Sequence, residues 1–289
     1  MSHFTVMVFG DDAEKQLAPF QENNMGDCPD VYMEFNDETE YIQKEWADED
    51  QETKDEYNND VDAYASDYHG YKKDEETGKY GYWENPNAKW DWYQLGGRWA
   101  GFFKLKPGAN GIEGRAGLFS KGAEPGHADA VRKCDIDFEG MRSEAEKEAG
   151  QKYDDVIAIV GDSVNEMQPW DYVRDVMFPE DRDLARDFYN SQIAPSKLKE
   201  WNSKNEYKLS FIDLENFQTT REEYTRKAGD AAFSSYAVIK DGVWYQKGEM
   251  GWWGMSSNEK DQADWNNEIS NLLADLPEDT LVSIYDCHI

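Results

Sequence analysis

The sequence predicts an α+β fold, with a mixed or antiparallel sheet that includes both terminal strands, together with helices and two insertions. Apolar, β-branched runs lie at both ends of the chain, at residues 3–10 and 280–285. Such runs predict buried strands. Strands at both ends, with further strands and helices between them, are typical of one sheet that brings the chain ends together.

Two insertions are predicted to interrupt this core. The core comprises residues 1–18, 78–165 and 230–289. An acidic, aromatic-rich insertion covers 19–77, where tyrosines recur near helical spacing and predict acidic helices with an aromatic stripe. A second insertion, 166–229, has a polar helical pattern.

Further elements are predicted between the two insertions. Residues 89–105 alternate large aromatic and polar side chains, which indicates two strands joined at Gly96-Gly97. Residues 139–152 predict a short charged helix, and the apolar run 155–161 predicts a second buried strand.

The last part of the chain carries stronger local signals. Breaks in the helical pattern are expected at Pro179 and Pro195. Asp241-Gly242 lies between two β-rich runs and predicts a hairpin. Residues 248–255 predict either the lining of a pocket or interface, or a loop attached to the core by its tryptophans. An amphipathic helix is then predicted through Trp265, Ile269, Leu272, Leu273 and Leu276.

Charge is the most informative feature of the composition. The chain has 61 Asp and Glu residues against 30 Lys and Arg, a net charge of −31, and the acid is concentrated in residues 11–76. Direct binding to nucleic acid is disfavoured, because it needs Lys and Arg to displace counterions from the phosphates. Anionic membranes are disfavoured for the same reason. A basic partner, such as a DNA-handling protein, has the complementary charge.

Other sequence features predict a soluble intracellular protein. No secretory leader or membrane-length apolar run is seen. The three cysteines have neither metal-site nor disulfide spacing, which favours a reducing cytosol. No cofactor or metal is expected.

The acidic insertion carries the first candidate site, a surface for a protein partner. Complementary charge would speed the encounter, and aromatic anchors would supply most of the affinity. The residues predicted to contact the partner are Tyr41, Trp46, Tyr57, Tyr64, Glu49 and Asp50.

A second candidate is a ligand site. If the terminal strands are neighbours, the two histidines near the ends would meet Asp286 and Cys287, a set that suits a divalent metal or a Cys/His nucleophile pair. Aromatic residues beside an arginine would stack a nucleobase. Strand-end positions and core packing are the competing interpretations. The predicted ligand residues are Trp92, Arg98, Trp99, His3, Asp286 and His288.

Distinctive strings occur at both ends and in the middle of the chain. They are MSHFTVxVxG at 1–10, KWDWYQLGGRW at 89–99, GEMGWWGM at 248–255 and DCHI at 286–289. Together they resemble a family of acidic proteins common in tailed-phage genomes. Within that group the chain is similar to the Gabija anti-defence family. The resemblance implies an oligomer that assembles around a host nuclease–ATPase complex and acts by binding, without catalytic residues.

The leading functional prediction is therefore a non-enzymatic, phage-encoded anti-defence inhibitor. It would bind a host nuclease/ATPase defence complex in the cytoplasm of the infected bacterium, as a homo-oligomer, and block access to DNA. The alternative is a nucleotide-binding protein, either a signal sponge or a metal-dependent enzyme, that uses the aromatic block and the terminal His/Asp/Cys cluster. A virion or assembly protein with a basic partner is a third possibility.

Overall fold

The computed structural model describes residues 2–206, 208–209, 211–251 and 255–289. Contacts divide the chain into two compact units. The first unit is Met1–Asp135, Ser235–Lys260 and Leu272–Ile289, and the second is Ile136–Ser234 and Asp261–Asn271.

Strands supply most of the regular structure of the first unit. In chain order they are β1 (His3–Phe9), β2 (Glu34–Asp37), β3 (Lys72–Lys73), β4 (Tyr80–Glu84), β5 (Trp92–Gly97), β6 (Phe103–Lys104), β7 (Arg115–Ala116), β8 (His127–Ala128), β9 (Ala130–Arg132), β10 (Ala237–Lys240), β11 (Val243–Gln246), β12 (Glu249–Met250), β13 (Ser256–Ser257) and β14 (Leu281–His288).

Helices occur in both units. In chain order they are α1 (Ala13–Leu17), α2 (Thr39–Asp48), α3 (Gln51–Glu56), α4 (Val61–Asp67), α5 (Phe138–Val160), α6 (Ser163–Glu166), α7 (Trp170–Tyr172), α8 (Arg182–Ser191), α9 (Ile193–Lys204), α10 (Arg221–Asp230) and α11 (Gln262–Ala274). A π-helical turn, Val173–Met177, continues α7. None of the helices in the described ranges is both long and apolar enough to cross a bilayer.

A mixed sheet forms the centre of the first unit. Its order is β11-β10-β1-β14-β5-β7, and β9 also pairs with β14. β1 runs antiparallel to β14 and parallel to β10. The two terminal strands therefore lie side by side inside the sheet, and the predicted α+β fold with both terminal strands in one sheet is confirmed.

One face of this sheet carries a compact apolar core. Because successive strand residues point to opposite faces, alternate residues of β1 and β14 share this face. Trp90 packs in this core, and its indole N–H donates to the Leu17 carbonyl at 3.1 Å. The buried members of the cluster are Phe4, Val6, Val8, Leu17, Phe20, Trp90, Ala237, Ile239 and Cys287.

The acidic insertion has its own small sheet and core. β2, β4 and β3 form a three-stranded antiparallel sheet. Ile42, Ala65 and Tyr80 are buried together beneath it and α2 and α4. The predicted acidic helices are present as three short helices, α2 to α4, and two of them begin at an aspartate cap, Asp50 for α3 and Asp60 for α4.

The second unit is helical, and here one strand prediction is wrong. Residues 155–160, expected as a strand, continue α5 to Val160. Val156 and Val160 are one helical turn apart and are both buried against the cluster that contains Leu198 and Phe217. A short β-branched run fits a buried helix as well as a strand, and tertiary packing decided between them. The helical unit accordingly begins at Ile136 rather than at the predicted boundary near 166.

Two other predictions also differ from the structure. The helical pattern does break near Pro195, but at Gln192, between α8 and α9; Pro195 itself lies in the first turn of α9, where its missing N–H needs no helical partner. The predicted hairpin at Gly96-Gly97 does not form. β5 pairs with β14 and β7, whereas the following strand, β6, pairs with β8.

The strongest local signals are confirmed. β10 and β11 form an antiparallel hairpin across Asp241 and Gly242, whose φ angles of 54° and 76° suit a two-residue turn. The amphipathic helix is α11, with Trp265 and Ile269 fully buried. In the segment 248–255, Glu249 and Met250 form β12. Residues 252–254 of this segment lie outside the described residues.

Candidate functional site

A row of three side chains crosses adjacent strands of the main sheet. His3 of β1 lies opposite His288 of β14, which in turn lies opposite Trp92 of β5. Directly opposed residues of antiparallel strands share a face. The two imidazole centroids are 5.1 Å apart, and the His3 ring is 6.1 Å from that of Trp92. The strand pairing thus brings together three of the residues predicted as a ligand site.

Each histidine is oriented by its own carboxylate. Nδ1 of His3 lies 2.7 Å from Oδ1 of Asp286, and Nδ1 of His288 lies 2.6 Å from Oδ1 of Asp91. An ionised carboxylate only accepts hydrogen bonds, so each Nδ1 carries a proton, and in this tautomer the lone pair of a neutral ring lies at Nε2. Histidines that act as general bases use this tautomer.

The two carboxylates are themselves held in place. Asp286 is almost fully buried, and its Oδ2 accepts the Arg98 backbone N–H at 2.9 Å. Oδ2 of Asp91 accepts the Asn24 side-chain amide at 3.1 Å. Both imidazoles are therefore positioned before any ligand arrives, which is what a precise polar site requires.

A third carboxyl group lies beside the second pair. Burial raises the pKa of Glu22, and the nearby Asp91 carboxylate raises it further, although His288 acts in the opposite direction. Nε2 of His288 is buried and has no hydrogen-bond partner among the described residues. The lone pair of this nitrogen is therefore not committed to a structural contact.

Two exposed arginines lie at the end of β5 away from Trp92. Arg98 follows β5 directly, and Arg115 pairs with Gly96 at the edge of the same strand. Neither makes an ion pair within the described part of the chain, although carboxylates are abundant. The arginines that do pair with carboxylates are Arg132, Arg142, Arg174, Arg186, Arg221 and Arg226.

Cys287 does not belong to this site, so the predicted Cys/His nucleophile pair is wrong. The period of two along β14 puts Cys287 on the opposite face from Asp286 and His288, in register with Phe4. Its side chain is fully buried in the apolar core, and burial raises the pKa of its thiol well above the usual range. A buried protonated thiol is a poor nucleophile.

The remaining predicted ligand residues have different surroundings. Trp92 is 45% exposed. Trp99 is half-buried in the turn after β5, where its backbone N–H donates to the Gly96 carbonyl at 3.0 Å. Across the described ranges, no three His, Cys, Asp or Glu side chains are arranged to hold a metal ion.

A buried aspartate organises the glycine-rich loops next to the row. Asp129 is fully buried, and its carboxylate accepts backbone N–H groups of Gly101 at 2.6 Å and Gly114 at 2.7 Å. Gly97 has a φ of 57°, and a Cβ added there would lie 2.3 Å from Cβ of Asp286. This close approach, rather than a hairpin turn, is what requires glycine at that position.

The predicted partner-contact residues are mostly packed within the acidic insertion. Tyr64 has no exposed surface, and its hydroxyl donates to Oε1 of Glu49 at 2.8 Å. Its ring contacts those of Trp46 at 5.0 Å and Tyr57 at 5.5 Å. Tyr64 is therefore a core residue and not a surface contact. Tyr41, at 42% exposure, is the most open of the four predicted aromatics.

The tyrosine spacing therefore marks the core of the insertion. Asp50 is exposed and caps α3 by accepting the Thr53 N–H at 2.9 Å, whereas Glu49 is half-buried. Tyr64 is buried and Trp46 and Tyr57 are half-buried, so the outer surface of the three helices consists mainly of carboxylates, with Tyr41 and Tyr68 also exposed.

Four residues of the ligand site or its scaffold were not singled out from the sequence, namely Asp91, Asn24, Arg115 and Asp129. None belongs to a spacing motif. Asp91 meets His288, and Asp129 meets Gly101 and Gly114, only through pairings between strands and loops that are distant in sequence. The one available signal for Asp91 was its place between two tryptophans of the aromatic block.

Comparisons of the chain with family models, with curated proteins and with solved structures return no match. The resemblance to phage anti-defence proteins therefore stays a prediction, and the geometry of the site is the basis for assigning a function.

Proposed function

We propose that the sheet face around His3, His288 and Trp92 binds a nucleotide or a closely related phosphorylated aromatic molecule. The observation that carries the proposal is the row of two carboxylate-oriented imidazoles beside an exposed indole. An exposed tryptophan is a stacking surface for any base, because every base has a π-face.

Arg98 and Arg115 would supply the charge for the phosphate. In a chain of net charge −31, an anionic ligand must find a local concentration of cations. Arg98 and Arg115 are exposed, have no carboxylate partner in the described ranges, and lie at the edge of the strand that carries Trp92. A guanidinium group binds phosphate oxygens through paired hydrogen bonds.

Replacing Trp92 by alanine should weaken nucleotide binding about 5- to 150-fold, the range that one stacked base contributes. AMP and ATP should raise the melting temperature of the wild-type protein, since a ligand that binds only the native state stabilises it. Trp83→Ala is the matched control, because Trp83 is similarly exposed, at 51%, but lies on β4. Failure of millimolar nucleotide to shift the wild-type melting temperature would contradict the proposal.

The surface of the acidic insertion favours a second candidate function. This is the phage-encoded anti-defence inhibitor, which would bind a host nuclease/ATPase complex and block its access to DNA. Helices α2 to α4 present a dense negative surface to a basic groove, and Lys54 is occupied by the backbone carbonyls of Ala47 and Glu49. The exposed carboxylates of these helices and their linkers are Glu40, Asp48, Asp50, Glu52, Asp55, Glu56, Asp60, Asp62 and Asp67.

Charge reversal on α3 tests this second candidate. Glu52→Lys with Glu56→Lys should slow association with the host complex at low salt, because complementary surface charge mainly sets the association rate. Glu180→Lys with Glu222→Lys is the matched control, with equal charge change at exposed sites of the second unit. A pull-down in which the wild-type chain retains no host nuclease would rule the inhibitor out.

A further inference from the structure

We infer that His3 and His288 form a general acid–base pair that hydrolyses a phosphodiester bond of the bound nucleotide. The inference rests on the proposed nucleotide site and adds a reaction to it. One imidazole would suffice to orient a ligand. Two imidazoles, each tied at Nδ1 to a separate carboxylate and placed 5.1 Å apart between ring centroids, provide a proton acceptor and a proton donor in one site.

The carboxylates determine which nitrogen takes part. Asp286 and Asp91 hold the protonated Nδ1 atoms, so Nε2 of each ring is the atom left for proton exchange with the substrate. Nε2 of His288 is buried, so substrate binding must move the side chains that cover it. Acid–base hydrolysis needs one neutral ring as proton acceptor and one protonated ring as proton donor, and the two His–Asp pairs supply two separate imidazoles for these roles.

The reaction uses water as the nucleophile. The neutral imidazole takes a proton from water at Nε2 while the water oxygen forms a bond to phosphorus. The bond from phosphorus to the leaving oxygen breaks, and the imidazolium gives its Nε2 proton to that oxygen. The products are a phosphomonoester and an alcohol, and no redox change occurs. Proton transfer between the two rings through solvent restores the starting state.

The surroundings of the row agree with this assignment. The thiol of Cys287 is on the other face of the sheet, so it is not positioned to attack the phosphorus. Arg98 is adjacent to the first pair, since its backbone N–H binds the same Asp286 carboxylate as His3 does. The Arg98 side chain is exposed, and a guanidinium that reached the phosphoryl oxygens would stabilise the charge that develops on them.

Hydrolysis of 2′,3′-cyclic AMP and bis(p-nitrophenyl) phosphate by the whole protein tests the inference. The wild-type chain should turn over both probes with a bell-shaped pH profile, and in ¹⁸O-water the label should enter the phosphomonoester. His3→Asn and His288→Asn should each lower kcat by about 100-fold or more and remove one limb of the profile. His69→Asn, in the acidic insertion, is the control and should keep the wild-type rate.

Asp91→Asn is a further test variant that leaves both imidazole rings in place. Asp91 is a positioning residue, so its loss should lower kcat and shift the pH limb of His288 while KM stays near the wild-type value. This variant also covers the case in which His288→Asn, at a half-buried position, does not fold.

Three outcomes would overturn the inference. They are no hydrolysis above the buffer rate, wild-type rates in both histidine variants, and no ¹⁸O in the product. If the wild-type chain binds AMP with Trp92 dependence but hydrolyses neither probe, the acid–base role fails and the nucleotide site stands. If it neither binds nor hydrolyses, both fail.

Discussion

Replacing Asp129 by asparagine is expected to lower the free energy of unfolding by about 2–4 kcal/mol. The carboxylate is fully buried and accepts N–H groups from two separate loops, at Gly101 on Oδ1 and Gly114 on Oδ2. An amide keeps only one acceptor oxygen, and its NH₂ group would face a backbone N–H. At least one buried donor is then left without a partner.

Urea unfolding of the two proteins measures this effect. Asp48→Asn is the matched control, because the same atoms change at an exposed position of α2, where surface substitutions usually stay within about 0.5 kcal/mol. Since Asp129 also positions the loop between β5 and β6, its asparagine variant should weaken AMP binding. Equal unfolding free energies for Asp129→Asn and the wild type would refute the role assigned to this carboxylate.

Replacing Tyr64 by alanine is expected to cost about 3–5 kcal/mol, the range for truncating a buried large aromatic side chain. Tyr64 is fully buried and lies at the centre of the insertion, in ring contact with Trp46, Tyr57 and Tyr68. Burial raises the pKa of its phenol, so the hydroxyl stays protonated and continues to donate to Glu49.

The loss of stability in Tyr64→Ala should be confined to the acidic insertion. Hydrogen exchange of the backbone amides of α2 and α4 should speed up in Tyr64→Ala, while amides of β1 and β14 should keep their wild-type protection. Tyr68→Ala is the control, because that side chain is 65% exposed and its removal leaves a much smaller cavity. Unchanged exchange in α2 and α4 would show that Tyr64 does not hold the insertion together.

These two residues show where sequence reasoning succeeds and where it fails. The tyrosine spacing in 39–68 correctly predicted helices, because a helical period is a local property. Which side of those helices faces outward depends on tertiary packing and not on the local period. The insertion is small and its aromatic residues are its largest apolar side chains, so Tyr64 is buried in its core rather than available to a partner.

Some features of the ligand site were likewise predictable from local sequence, and others were not. The apolar runs at the two chain ends predicted terminal strands, and their adjacency followed from placing both in one sheet. Alternation along β14 would already have separated Cys287 from Asp286 and His288, once those residues were assigned to a strand. Asp91 had no such signal, because it meets His288 only through the pairing of β14 with β5.

Local sequence patterns specify the α+β class, the terminal strands, the hairpin at Asp241-Gly242, the acidic helices and the unequal distribution of charge. These follow from period, turn chemistry and composition, which act over a few residues. Tertiary packing makes 155–160 helical, brings Gly97 against Asp286 and Gly96 against Asp129, and places two His–Asp pairs on one face. Such choices depend on register and packing between segments far apart in the chain, and no local pattern specifies them.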